Sequence, residues 1–240
     1  MEFLQKIRQV YFPQRSDILF FLCGVIMSVS EIWKQFTLTF VLGGGSYNWW
    51  YFPFQLCSIP MYLLLLYPWL RGERPRRILL AFLMSYTLLG GIAVFADTSG
   101  LHYPLTALTV HSYLWHILLI LVGILSALVY SRSAHKKASS TPAHFRRVHG
   151  KALRAFAGST GLYLFCCVLA ELFNLAFDRF GTINMFYINP GYQMQQIVFS
   201  NLSVRIGNTP AILLYIASTI FGAFLLFLIW QFIFRLLGRS

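Results

Sequence analysis

Long apolar stretches separated by short charged ones set the pattern of this chain. Six of them, at roughly residues 17–41, 51–70, 77–97, 106–130, 155–178 and 209–236, reach about 20 residues, the length an α-helix needs to cross the hydrocarbon core of a bilayer. The pattern predicts an all-α polytopic membrane helix bundle of about six transmembrane helices, with residues 1–240 forming a single transmembrane domain. The first run begins near Ile18, is too long for a signal-peptide core and lacks a small-residue cleavage site, so it is expected to stay as the first helix.

Three segments outside the spans have their own signatures. In residues 1–16, Phe3, Leu4, Ile7, Val10 and Tyr11 recur at helical spacing with Lys6 and Arg8 off that face. This predicts a helix lying in the cytoplasmic interface. Residues 131–154 are basic, include Ser139-Ser140-Thr141-Pro142, and read as a flexible cytoplasmic loop. Residues 179–208 are rich in Asn, Gln, Gly and aromatics and too long for a bare connection. They are expected to pack as an extracytoplasmic lid or a re-entrant segment. No strong internal repeat is visible, which weighs against an inverted-repeat transporter.

Charge gives the orientation. Only 11% of residues are charged, against about 25% in soluble domains. Sixteen of the nineteen Lys and Arg flank the spans on one side, given six crossings; Lys34, Arg179 and Arg205 are the others. The positive-inside rule then places both termini and the basic loops in the cytoplasm. The net charge of +12 is thereby read as topogenic, so the expected partner is membrane lipid and no nucleic acid. The expected location is the plasma membrane of a bacterium, multi-pass.

Polar residues inside a membrane are costly and usually functional, so their depth is informative. At about 1.5 Å per residue, Gln55 and Cys57 fall roughly 6–9 Å below the outer boundary, His111 about 8 Å and His116 about 15 Å. Glu31 and Lys34 fall in the outer half of the first helix, Glu171 and Asn174 in the outer half of the fifth. The spacing of three in each pair puts its members on a shared face. Ser112 and His116, four apart, also share one. A polar cavity opening toward the outer leaflet follows, above a nearly apolar cytoplasmic half. Cys23, Cys166 and Cys167 lie in apolar runs and read as inert. No C-x-x-C pair occurs, so neither a zinc site nor a disulfide framework is expected, and no cofactor is called for. Cys57 differs because Pro53 and Pro60 bracket it, each removing a backbone donor. It is either a buried structural thiol or a nucleophile activated by a histidine.

Three segments together resemble a known family. Phe52-Pro53-Phe54-Gln55-Leu56-Cys57 resembles the Leu-Pro-Leu-His-Leu-Cys signature of the YwaF-like membrane proteins, whose animal relatives are cysteine-dependent transmembrane acyltransferases. His111-Ser112-Tyr113-Leu114-Trp115-His116 is similar to the family's Trp-His or Ser-His segment. Gly181-Thr182-Ile183-Asn184-Met185-Phe186, running on to Asn189-Pro190, is similar to its Gly-Thr-Asn-Tyr-Met-Phe-Leu…Lys-Pro stretch. The three occur in the family's order and span most of the chain. The resemblance implies acyl transfer between phospholipids and lysophospholipids, with Cys57 as nucleophile and His116, or else His111, as base. Two departures stand out: Gln55 where the family often has His, and Asn189-Pro190 in place of Lys-Pro. On this reading Glu31, Lys34, Gln55, Glu171, Asn174 and Asn184 line the substrate site. Asn184 or a free N–H near the prolines would face the oxyanion, and Lys34 a lipid phosphate. A transporter or receptor for a small polar ligand, using the same cavity, is the rival reading, and a purely structural subunit the third.

Overall fold

The structure is a computed structural model that describes the backbone of residues 15–135 and 142–237, and side chains over 15–132 and 150–237. Five helices are long and apolar enough to cross a membrane. They are α1 (Arg15–Leu42), α3 (Glu73–Ala96), α4 (Thr106–His135), α5 (Pro142–Phe177) and α7 (Asn208–Leu236). Two short helices, α2 (Ile59–Leu66) and α6 (Phe199–Ile206), lie between them, and no strand occurs among the described residues. Large apolar side chains such as Ile26, Val29, Phe36, Leu114, Leu175 and Phe221 point outward. Such a surface requires a hydrocarbon solvent, and the chain is a multi-pass integral membrane protein.

The second apolar stretch departs from expectation. Apolar helix is present only over Ile59–Trp69, about half the length of a crossing, so Gln55 and Cys57 sit on irregular backbone rather than on a helix. The prolines explain this. Phe52, preceding Pro53, is extended at φ −51°, ψ 132°, as a residue before proline must be. Pro60 is tolerated because it lies in the first turn of α2, where its missing N–H has no helical partner to lose.

The stretch nevertheless runs antiparallel to α1 along its length. Gln35 Nε2 donates to the Tyr51 carbonyl at 2.6 Å, Gly24 lies under Leu64 and Leu65, and the rings of Phe20 and Tyr67 meet edge-on at 4.9 Å. From Phe20 to Gln35 α1 rises about 22 Å, so residues 51–67 cover that distance beside it. Gly24 permits the contact: a Cβ there would stand 2.9 Å from the Leu65 nitrogen. Small residues commonly allow such backbone approach between membrane helices.

The helices alternate in direction. At one end Arg76 pairs with Asp17 at 2.9 Å and covers the Tyr67 ring. Arg77 covers the Tyr130 ring, which stacks on Phe234. The starts of α1 and α3 thus meet the ends of α4 and α7. At the other end Trp49 stacks on Phe177 at 4.6 Å and Tyr51 meets Tyr103. Tyr86 joins the middle, donating to Thr160 Oγ1 at 2.9 Å and stacking on Tyr163. It lies in a π-helical turn, Leu83–Thr87, whose Met84 carbonyl accepts from Trp230 Nε1.

Two further expectations are adjusted. The described parts of 131–154 are helical: α4 runs to His135 and α5 begins at Pro142, a residue suited to a first helical turn. The basic end is also not purely apolar inside, since Asp17 is fully buried in its pair with Arg76. The interfacial helix expected over residues 1–12 lies outside the described residues.

Candidate functional site

Cys57 lies on the irregular backbone that precedes α2, partly buried against the core. Hydrogen bonds from Phe54 N to Phe52 O and from Ser58 N to Gln55 O give that backbone its shape. Trp115 Nε1 of α4 donates to the Cys57 carbonyl at 3.1 Å. The thiol-bearing residue is therefore fastened to the stretch of α4 that carries both histidines.

The imidazoles differ. His116 is buried, and its Nδ1 lies 2.8 Å from the Ser112 carbonyl. A carbonyl oxygen only accepts, so Nδ1 carries the proton and Nε2 presents a lone pair in the neutral ring. The shared face of Ser112 and His116 is used through the backbone rather than the hydroxyl. Both nitrogens of His111 are buried without a partner, and its ring packs between Trp33 and Trp115, 5.6 Å from each. Among the described residues no hydrogen bond joins the Cys57 thiol to either imidazole.

Glu31 and Lys34 pair at 2.8 Å. Gln35, one turn beyond Glu31, donates to Glu31 Oε1 at 2.6 Å and to the Tyr51 carbonyl. Glu31 Oε2 and Gln35 Oε1 are buried without partners. Lys34 is within electrostatic reach of Cys57, His111 and His116. The pair on α1 and the histidines on α4 thus border one region.

The long loop between α5 and α6 enters the bundle as ordered backbone. Ile183, Asn184, Met185 and Phe186 are almost wholly buried. Irregular backbone at such depth must find its hydrogen bonds within the protein, and two side-chain amides supply them. Gln55 Nε2 donates to the Asn184 carbonyl at 3.0 Å, and Gln55 Oε1 accepts from Phe186 N at 2.7 Å. From the other side Asn174 Oδ1 accepts from Met185 N at 2.6 Å, and Asn174 Nδ2 donates to the Met185 carbonyl at 3.4 Å. Among the described residues, Glu171 reaches this network through Asn174 alone. The clamp holds Phe186 and Tyr187 at φ 57° and 58°, a left-handed conformation that bulky residues adopt only when their surroundings impose it.

Tyr187, Tyr103 and Tyr215 lie within electrostatic reach of Cys57. Sequence reasoning missed these tyrosines because nothing separates them from the other Tyr of an aromatic-rich chain. Gln35 and Trp115 were missed too, although Gln35 stands one turn from Glu31 and Trp115 stands inside the histidine segment. Among the described residues no group of three or more His, Cys, Asp or Glu side chains is arranged to hold a metal ion. No family model, curated protein or solved structure matches the chain.

Proposed function

We propose that the protein is a membrane-embedded acyltransferase that moves a fatty acyl chain between phospholipids and lysophospholipids through a thioester on Cys57. The observation that carries this reading is the fastening of the Cys57 carbonyl to Trp115, next to an imidazole whose Nδ1 is committed to Ser112. His116 Nε2 takes the thiol proton, and the thiolate adds to an ester carbonyl of the donor lipid. The intermediate expels the lysolipid alkoxide, which takes the proton from His116. An acceptor hydroxyl then attacks the thioester with His116 again as base, and the thiol is restored. Resting geometries of such pairs are commonly loose and tighten around substrate.

The reaction class comes from the resemblance to the YwaF-like proteins and is carried by analogy. Gln55, which stands where that family often has His, here has both ends of its amide committed to the inner loop. Its contribution is accordingly structural.

The topology belongs to the same reading. Counting residues 51–70 as a discontinuous crossing beside α1 makes six crossings and returns both termini to one side. Arg71, Arg74, Arg76, Arg77, Arg132, Lys151, Arg154 and Arg235 border that side, which makes it the cytoplasm. Cys57, the histidines and the clamped loop then fall in the extracytoplasmic half, near the depth of lipid ester groups.

The test is transfer of a labelled acyl chain from phospholipid to lysophospholipid by protein reconstituted in vesicles. His116→Ala should lower the rate by about 10²- to 10⁴-fold, and His111→Ala by much less, because the fixed tautomer belongs to His116. Equal rates in His116→Ala and the unaltered protein would overturn the assignment.

A second reading draws on the unpartnered atoms of Glu31, Gln35 and His111: a binding site for a small polar ligand, as in a transporter or receptor. It requires ligand-dependent thermal stabilisation that persists after alkylation of Cys57.

A further inference from the structure

The loop clamp leaves one donor unused. Asn184 is 1% exposed, and its Oδ1 accepts from Asn189 N at 3.0 Å. That backbone N–H fixes which way the amide lies, since the reverse orientation would set two donors against each other. Nδ2 therefore points away from Asn189, is buried, and has no partner. Leaving such a donor unsatisfied inside a protein is costly. The neighbouring side chains show no such neglect. Asn189 Nδ2 donates to the Ile183 carbonyl and its Oδ1 accepts from Gly191 N, while Asn174 and Gln55 use both ends of their amides.

The position of Asn184 relates it to the thiol. Its carbonyl is bonded by Gln55, two residues before Cys57. Tyr187, whose N–H closes a turn onto the same carbonyl at 3.3 Å, lies within electrostatic reach of Cys57. The turn is held by Gln55 on one side and Asn174 on the other, so the donor is fixed before any substrate arrives. Donors set in advance in a low-dielectric site are the most effective stabilisers of developing negative charge.

We propose that Asn184 Nδ2 donates to the carbonyl oxygen of the lipid ester while the Cys57 thiolate adds to its carbon. This rests on the Cys57 acyltransferase reading and deepens it. As the S–C bond forms, the carbonyl π electrons move to oxygen, and the amide N–H holds the resulting oxyanion. When the oxygen re-forms its double bond, the C–O bond to the glycerol breaks and the leaving alkoxide takes the proton held by His116. The acceptor step repeats this in reverse.

The experiment compares two reactions of the same thiol in the full-length protein in vesicles. Formation of the Cys57 thioester from an acyl-labelled phospholipid passes through an oxyanion. Alkylation of Cys57 by iodoacetamide displaces iodide from a saturated carbon and does not. Asn184→Asp keeps the acceptor for Asn189 N and replaces the donor; Asn184→Ala serves where the Asp variant does not accumulate. Thioester formation should fall about 10²- to 10³-fold while alkylation stays within about threefold of the unaltered protein. Unchanged thioester formation, or an equal fall in both rates, would overturn the proposal. A Cys57→Ala variant assayed alongside separates the two levels. Full transfer activity in that variant removes the Cys57 thioester reading itself. Loss there, with normal rates in Asn184→Asp, removes only the role of Asn184.

Discussion

Cys57→Ala should abolish acyl transfer, by about 10³-fold or more, while leaving the bundle folded. The fold should survive because the contact that fastens this position to α4 runs through the Cys57 carbonyl, which every residue possesses. The side chain is only partly buried, and its loss removes one sulfur atom from the edge of the core. The chemistry has no substitute. Ser58 is the adjacent buried hydroxyl, but an alcohol ionises far less readily than a thiol. Cys57→Ser should likewise fall to near background, since a hydroxyl in the same place keeps the geometry and loses the acidity. The assay is transfer between vesicle lipids, with thermal unfolding in detergent as the control for folding. Wild-type transfer by Cys57→Ala would refute a thioester route.

The largest effect on stability is expected from Asn174→Leu. Asn174 is fully buried and satisfies both polar groups of the Met185 backbone, at 2.6 and 3.4 Å. Leucine keeps the same branched set of side-chain heavy atoms, though with bulkier ends, and offers neither a donor nor an acceptor. The Met185 N–H would therefore be left unpaired inside the protein, while its carbonyl would keep the Ile188 N–H at 3.3 Å, a destabilisation of about 1–3 kcal/mol. Because Gln55 would then hold the turn alone, amide exchange over residues 183–189 should quicken before the rest of the bundle opens. Glu171→Gln, by contrast, alters one contact of a less buried side chain at 3.1 Å and should cost little. Thermal unfolding with site-resolved hydrogen exchange measures both. An unchanged midpoint and unchanged exchange in Asn174→Leu would show that the amide clamp does not hold the loop.

Much of the architecture could be read from local pattern. Five helices coincide with long apolar runs, since a lipid-facing crossing must satisfy its backbone within its own segment. The Glu31–Lys34 pair follows from a spacing of three on a helix, and Pro53 and Pro60 signalled trouble in the second stretch. The extent of that trouble was not legible. Two prolines are compatible with a kinked helix, and the fully irregular backbone of 52–58 is sustained by distant partners such as Trp115 and the inner loop. The clamp was out of reach for the same reason. Gln55 and Asn184 lie 129 residues apart in sequence, and no periodicity joins a proline-flanked glutamine to an asparagine in a long loop. Asp17 was passed over because, among basic residues at a span boundary, it resembles a solvated charge. Its burial depends on Arg76 arriving from another helix.

The most direct measurement is mass spectrometry of the protein after brief incubation with acyl-labelled phospholipid and no acceptor. A single labelled acyl group on Cys57, released by hydroxylamine and lost on adding lysophospholipid, is the predicted result. Acyl exchange between lipids with Cys57 unmodified throughout would contradict the account.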